Sequence, residues 1–223
     1  MQGLIRCGLL AGSLVACHTS SPAGPDGATP DGGGSGGGTG LHVAFTSDPT
    51  PIPATLDNGF TLDSVLFRFD NLKVIGDAGP GDPRTTATRF TTKWDSQSTP
   101  TEIDFGDAPT GVYSKVSFQI DGHLIDDSYE LQGHVTVAGT SYPFEVEDRS
   151  SLSLSLDCNR MLAAGGMNTI KLKLAFKDAL ETINWSNARN HDGTLTVDDT
   201  DPQILMVHSK LTNAISIDNS GPN

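Results

Sequence analysis

Cysteine is scarce, with three residues in 223. That excludes a disulfide-dense scaffold and a zinc site built from several thiolates. Basic residues are scarce too: 14 Lys and Arg against 27 Asp and Glu leave a formal net charge of −13. A surface this acidic repels phosphate backbones, so nucleic acid is not an expected partner. After the first 17 residues no apolar run approaches the ~18–20 residues of a membrane-spanning helix. Catalytic signatures are missing as well. From Leu41 onward there is no G-x-S-x-G, no H-E-x-x-H, no P-loop and no G-x-G-x-x-G. The chain is expected not to be an enzyme and to need no cofactor.

What is there begins with an address. Arg6 is the only charge in the first 17 residues, and an apolar stretch from Leu9 to Ala16 follows it. A basic start and a short apolar segment have the form of a secretory signal. The segment ends in Leu14-Val15-Ala16-Cys17, which resembles the bacterial lipobox. The resemblance implies cleavage before Cys17 and diacylglycerol on its thiol, often with a further acyl chain on the new amino group. Two or three chains suffice for stable anchoring, whereas one binds only marginally. His18 rather than Asp follows the cysteine, which leans towards the outer membrane.

Residues 18–40 hold nine Gly, three Pro and two Asp, with no side chain larger than His18. Such a segment has nothing to bury and reads as a disordered tether with a mean reach of roughly 25 Å. The organisation is therefore a signal at 1–16, a lipidated Cys17 with its tether to residue 40, and one domain over 41–223.

In that domain the apolar residues alternate, the period of half-buried strands. Val112, Val116, Phe118 and Ile120 share one face, with Tyr113, Lys115 and Gln119 on the other. Tyr142, Phe144 and Val146 follow a reversal at Ala138-Gly139-Thr140, the signature of a hairpin. Leu152, Leu154 and Leu156 alternate without a break, and the same parity places Cys158 inside. Ile170, Leu172, Leu174 and Phe176 form another apolar face. Val65, Phe67 and Phe69 share one parity, Leu72 and Val74 the other, so a bulge is expected at Asp70-Asn71. Asp201-Pro202 reads as a helix start, with a helix over Pro202 to Asn213 and Ile204, Leu205, Val207, His208, Leu211 and Ile215 along its apolar side. A shorter helical turn is expected over Lys177 to Asn184. The fold class is mainly β: an antiparallel β-sandwich, immunoglobulin- or transthyretin-like, with a short C-terminal helix.

Metal ligation has weak candidates. His42, His123, His134, His191 and His208 show no H-x-H or H-x-x-x-H spacing. His123, His134, Asp192, Asp198 and Asp199 could assemble from separate turns and strands, the acids offering hard oxygens to Ca²⁺. Asp201 is assigned to the helix cap.

Residues 101–120 combine an Ile103-Asp104-Phe105 strand, a short turn and a Pro109-x-Gly111-x-Tyr113 corner. A Trp185 turn, an Asp192-Gly193-Thr194-Leu195 strand and a closing amphipathic segment follow. Together these resemble bacterial lipoprotein β-sandwich domains, more distantly the MbnP-like periplasmic proteins, over about residues 60–217. Some of the latter handle copper, which the resemblance carries over as a possibility without a matching ligand motif. The expected function is a lipid-anchored, non-catalytic binding or structural module, its partners the membrane and an envelope protein or polysaccharide. The alternative is a periplasmic protein that binds copper or calcium.

Overall fold

The computed structural model describes residues 39–56, 59–77, 83–98 and 100–218. The signal, Cys17 and the tether as far as Gly38 lie outside them. The described residues are mainly β and form two sheets.

The first sheet runs in the order β14 (Ile215–Asp218), β11 (Met167–Ala175), β1 (Gly40–Asp48), β6 (Glu102–Phe105). The second runs β10 (Leu152–Leu162), β7 (Gly111–Ile120), β3 (Phe60–Gly76), β8 (Tyr129–Val137), β9 (Thr140–Asp148), β13 (Thr194–Val197), β12 (Arg189–His191). Three short strands, β2 (Ala54–Thr55), β4 (Pro83–Ala87) and β5 (Phe90–Trp94), also pair with β3. Phe69 pairs with both Ile120 of β7 and Phe90 of β5, and Val65 with both Leu131 of β8 and Trp94 of β5. So β8 and β7 occupy one edge of β3 in succession and β5 the other.

β3 serves both halves because it changes phase where the sequence predicts. Register shifts between Asp70 and Lys73, and Asn71 takes φ +53°. Asn tolerates that region better than most residues, and Asp70 Oδ1 accepts its N–H at 2.7 Å. Val65, Phe67 and Phe69 before the bulge and Leu72 and Val74 after it are thereby all buried.

Two expectations change. The alternation predicts antiparallel pairing throughout, yet β1 lies parallel to β11 and β13 parallel to β9. Alternation reports which face of a strand is buried; it carries no information on which strand lies beside it or in which direction. Tyr113, expected outward, is fully buried. Ser114 is an extra residue in β7 against β3, where Ile75 pairs with Lys115 and Gly76 with Tyr113. This bulge turns Tyr113 inward, and its hydroxyl donates to Pro109 O at 2.6 Å.

Rings join the two sheets. Phe45 of β1 stands 4.7 Å from Phe69 and 5.5 Å from Phe90, centroid to centroid. Phe176, just after β11, stacks on Phe67 at 5.8 Å. One apolar cluster contains residues of both sheets, and each fully buried Phe or Leu in it contributes about 1.5–3 kcal/mol.

The helices are close to their expected places. α1 (Lys177–Glu181) buries Leu180, with Ile183 just beyond it. α2 (Ile204–Ala214) buries Ile204, Val207 and Leu211. Leu205 points to solvent, and Ile215 already belongs to β14. Asp201 caps the turn ahead of α2: its Oδ1 accepts Gln203 N–H at 2.8 Å and its carbonyl accepts Ile204 N–H at 3.0 Å. Among the described residues no helix is long and apolar enough to cross a membrane.

Candidate functional site

The metal candidates are dispersed. His123 sits exposed in the loop after β7, at φ +57°, its N–H on Asp121 Oδ1 at 2.7 Å. His134 lies on the wet face of β8, with Nδ1 2.7 Å from Asp63 Oδ2. Asp192 is exposed in the turn between β12 and β13, and Asp199 is exposed beyond β13. Asp198 places both oxygens on Arg189 Nη2, at 2.7 and 2.9 Å. Burial works to raise its carboxyl, but the hydroxyl and N–H of Thr200 and the Arg189 guanidinium together hold it below the usual range. His42 is buried against Asp104. Among the described residues no three of His, Cys, Asp and Glu come together to hold a metal ion.

The best-formed polar cluster is one the sequence did not single out. Tyr129 opens β8 and Asp148 closes β9, and the two are paired in register. Asp148 is 1% exposed. Its Oδ2 accepts the Tyr129 hydroxyl at 2.9 Å and faces His208 Nδ1 of α2 at 3.0 Å. Its Oδ1 accepts Ser150 N–H at 2.8 Å. Burial, then the negative charge of Asp148, raises the Tyr129 phenol far above its ordinary value, so it remains a donor. A buried carboxylate with three partners is satisfied. An Asp–His pair is also part of a catalytic triad, but among the described residues no hydroxyl or thiol side chain is hydrogen-bonded to the His208 ring. The cluster fastens α2 to the end of the second sheet.

Cys158 keeps the inward parity of the leucines, although only half-buried. The strand does not stop at Asp157 but continues to Leu162 through a register shift between Asp157 and Arg160. The thiol points at Tyr113 O, 3.4 Å away. Burial pushes it up to about 11, against the pull of Arg160.

The loop 121–128 between β7 and β8 has a rigid base and an apolar tip. Arg68 N–H donates to Ser128 O at 3.0 Å, and Asp121 N–H donates back to Arg68 O at 2.9 Å. Gly122 N–H donates to Ser128 Oγ at 3.1 Å. The chain crosses itself so closely that a Cβ on Gly122 would stand 2.0 Å from Asp126 O. The Arg68 guanidinium holds Asp127 O and Glu130 Oε1, and Arg149 Nε holds Asp127 Oδ1 at 3.2 Å. Above this base Leu124 is 90% and Ile125 82% exposed. In sequence Leu124-Ile125 is an adjacent apolar pair between His123 and Asp126, and nothing in the alternation marks it as exposed.

A shallow depression of about 220 Å³ lies on the second sheet, lined by the polar side chains of Asn71, Lys73, Ser117, Gln119 and Ser153. No protein family model, curated protein or solved structure matches this chain.

Proposed function

We propose that this chain is a lipid-anchored, non-catalytic module of the bacterial cell envelope, held by Cys17, on the outer membrane, and docking an envelope protein through the tip of loop 121–128. The observation that carries the docking is the pair Leu124 and Ile125, 90% and 82% exposed on a base fixed by backbone and arginine hydrogen bonds. Exposed aliphatic side chains on a braced loop suit an apolar pocket on a protein partner, since much of the backbone ordering entropy is already spent. The lipobox and the tether support the anchor. Two sheets sharing one apolar cluster, with the Tyr113–Pro109 corner bond, support a sandwich of the immunoglobulin or transthyretin kind, where such tyrosine corners recur. The likeness to lipoprotein β-sandwich domains belongs to the same proposal.

Two measurements test it. Mass spectrometry of the amino-terminal peptide should find Cys17 as the first residue, carrying diacylglycerol; an intact signal ahead of an unmodified Cys17 sinks the anchor. A photo-crosslinking residue at position 124 should trap one envelope protein in intact cells, while the same probe at exposed Leu205 does not. Equal trapping at both positions, or none at 124, sinks the docking tip.

A further inference from the structure

We propose that the turn joining β10 to β11, residues 161–167, is a second membrane contact, resting on the bilayer to which Cys17 is anchored. This rests on the anchor proposed above and adds to it the face of the domain that meets the lipid.

The turn reads Met161-Leu162-Ala163-Ala164-Gly165-Gly166-Met167. It holds no ionisable side chain in a chain of net charge −13. Gly166 N–H donates to Ala163 O at 3.0 Å, and Gly165 takes φ +67°, a conformation that costs glycine little. Met161 is 60% and Met167 57% exposed, and Ala163 and Ala164 are exposed between them. Asn168 Nδ2 donates to Met161 O at 3.0 Å, which draws the two methionine-bearing strands together at this end. Arg160, the cation that precedes the turn in sequence, is buried and directed at Asp218 O.

The position of the tether selects the occupant. Gly40, its last residue, donates its N–H to Gly166 O at 2.9 Å and pairs with Met167 in register. The chain arriving from Cys17 therefore enters the fold against this turn. With a mean reach of roughly 25 Å, the tether keeps the turn near the lipid surface at high effective concentration, so a contact too weak to recruit a free protein forms here. Long unbranched thioether side chains enter irregular apolar surroundings readily, and the absence of an acid in the turn spares the contact headgroup repulsion.

The opposite end fits the same orientation. β7 and β10 pair at Gly111 and Leu162 beside the turn, and at Ile120 and Leu152 at the far end. Loop 121–128 follows Ile120, so Leu124 and Ile125 stand roughly 30 Å away from the methionines, a ten-residue strand's length. A domain resting on the 161–167 turn presents its docking tip away from the membrane.

Methionine oxidation reads the contact. The full-length lipidated protein is placed in phosphatidylcholine vesicles, and the full chain carrying Cys17→Ser is kept in solution. Both are exposed to dilute hydrogen peroxide, and sulfoxide formation at each methionine is followed by mass spectrometry. Met206, 48% exposed on α2, is the internal reference. Relative to Met206, Met161 and Met167 should oxidise more slowly in vesicles than in solution, by about threefold or more. Ala164→Asp in the lipidated protein should abolish that protection, because it places a charge in the contact. Equal ratios in vesicles and solution, with the lipid mass found on Cys17, overturn the contact and leave the anchor standing. No lipid on Cys17 overturns both. Protection that appears in the Cys17→Ser chain and grows with protein concentration assigns the turn to a second copy instead and overturns the bilayer.

Discussion

His208 on α2 directs Nδ1 at Oδ2 of Asp148, 3.0 Å away, the same oxygen that accepts the Tyr129 hydroxyl. One buried carboxylate thus holds together the start of β8, the end of β9 and a helix 60 residues further along the chain. Asp148→Ala should destabilise the protein by about 2–4 kcal/mol, since it strands the Tyr129 hydroxyl in a dry site and leaves a hole in the packing beneath α2. His208→Ala should cost less, because its ring is partly exposed. A double-mutant cycle in urea, with a coupling energy above about 0.5 kcal/mol, is the measurement. Full additivity would mean the pair is incidental.

Tyr113→Phe should lower stability by about 1 kcal/mol, the usual net value of one hydrogen bond. It leaves the ring in the core and removes the bond to Pro109 O. An unchanged denaturation midpoint would show that the corner contributes nothing beyond packing.

Gly133 lies in β8 where a Cβ would stand 1.9 Å from Thr61 O and 2.9 Å from the Phe144 ring. The strands have no room to absorb it. Gly133→Ala should cost more than about 2 kcal/mol, through strand displacement and loss of the Phe144–Trp185 contact. Thermal melting followed by tryptophan fluorescence checks it.

Glu147 sits opposite Glu130 on the wet face. Burial, then the charges of Glu145, Asp127 and Glu130, raise its carboxyl to about 7. The folded state therefore binds this proton more tightly than the unfolded chain does. The resulting stabilisation is complete below the ordinary glutamate value and is lost as pH rises through about 7. Glu147→Gln should accordingly raise the urea midpoint near pH 8 and leave it nearly unchanged near pH 4, by less than about 1 kcal/mol given solvent screening. A rise of equal size at both pH values would point to packing instead.

With its thiol at about 11, Cys158 should react slowly with a thiol reagent at neutral pH and quickly once the protein unfolds. Cys158→Ala should cost about 1 kcal/mol. Rapid labelling of the folded protein would show the thiol turned out beside Arg160.

Much of this fold is legible in the sequence because period-two alternation reports burial directly. The strands around Val65–Phe69, Leu152–Leu156 and Ile170–Leu174 lie where the pattern places them, and the Asp70–Asn71 phase slip is a real bulge. Tyr113 shows the limit. A one-residue bulge at Ser114 reverses its parity, and it depends on neighbours in β3 and β10 rather than on residues 111–120 alone. A second register shift, in β10 between Asp157 and Arg160, falls at the half-buried Cys158. The Asp148 cluster was not legible at all: Tyr129, Asp148 and His208 come from three elements, and no spacing announces them. Parallel partners are equally silent.

The parallel pairing of β1 with β11 has a consequence for the order of events. Thr46 Oγ1 donates to Leu172 O, a partner 126 residues further on. β1 lies between β11 and β6 in its sheet, so the first sheet cannot close until nearly the whole chain is available. Such distant closure makes for slow, late folding. For the envelope lipoprotein proposed above this delay is useful: β1 lacks its parallel partner β11 during passage, and the domain locks only after its C-terminal third has emerged.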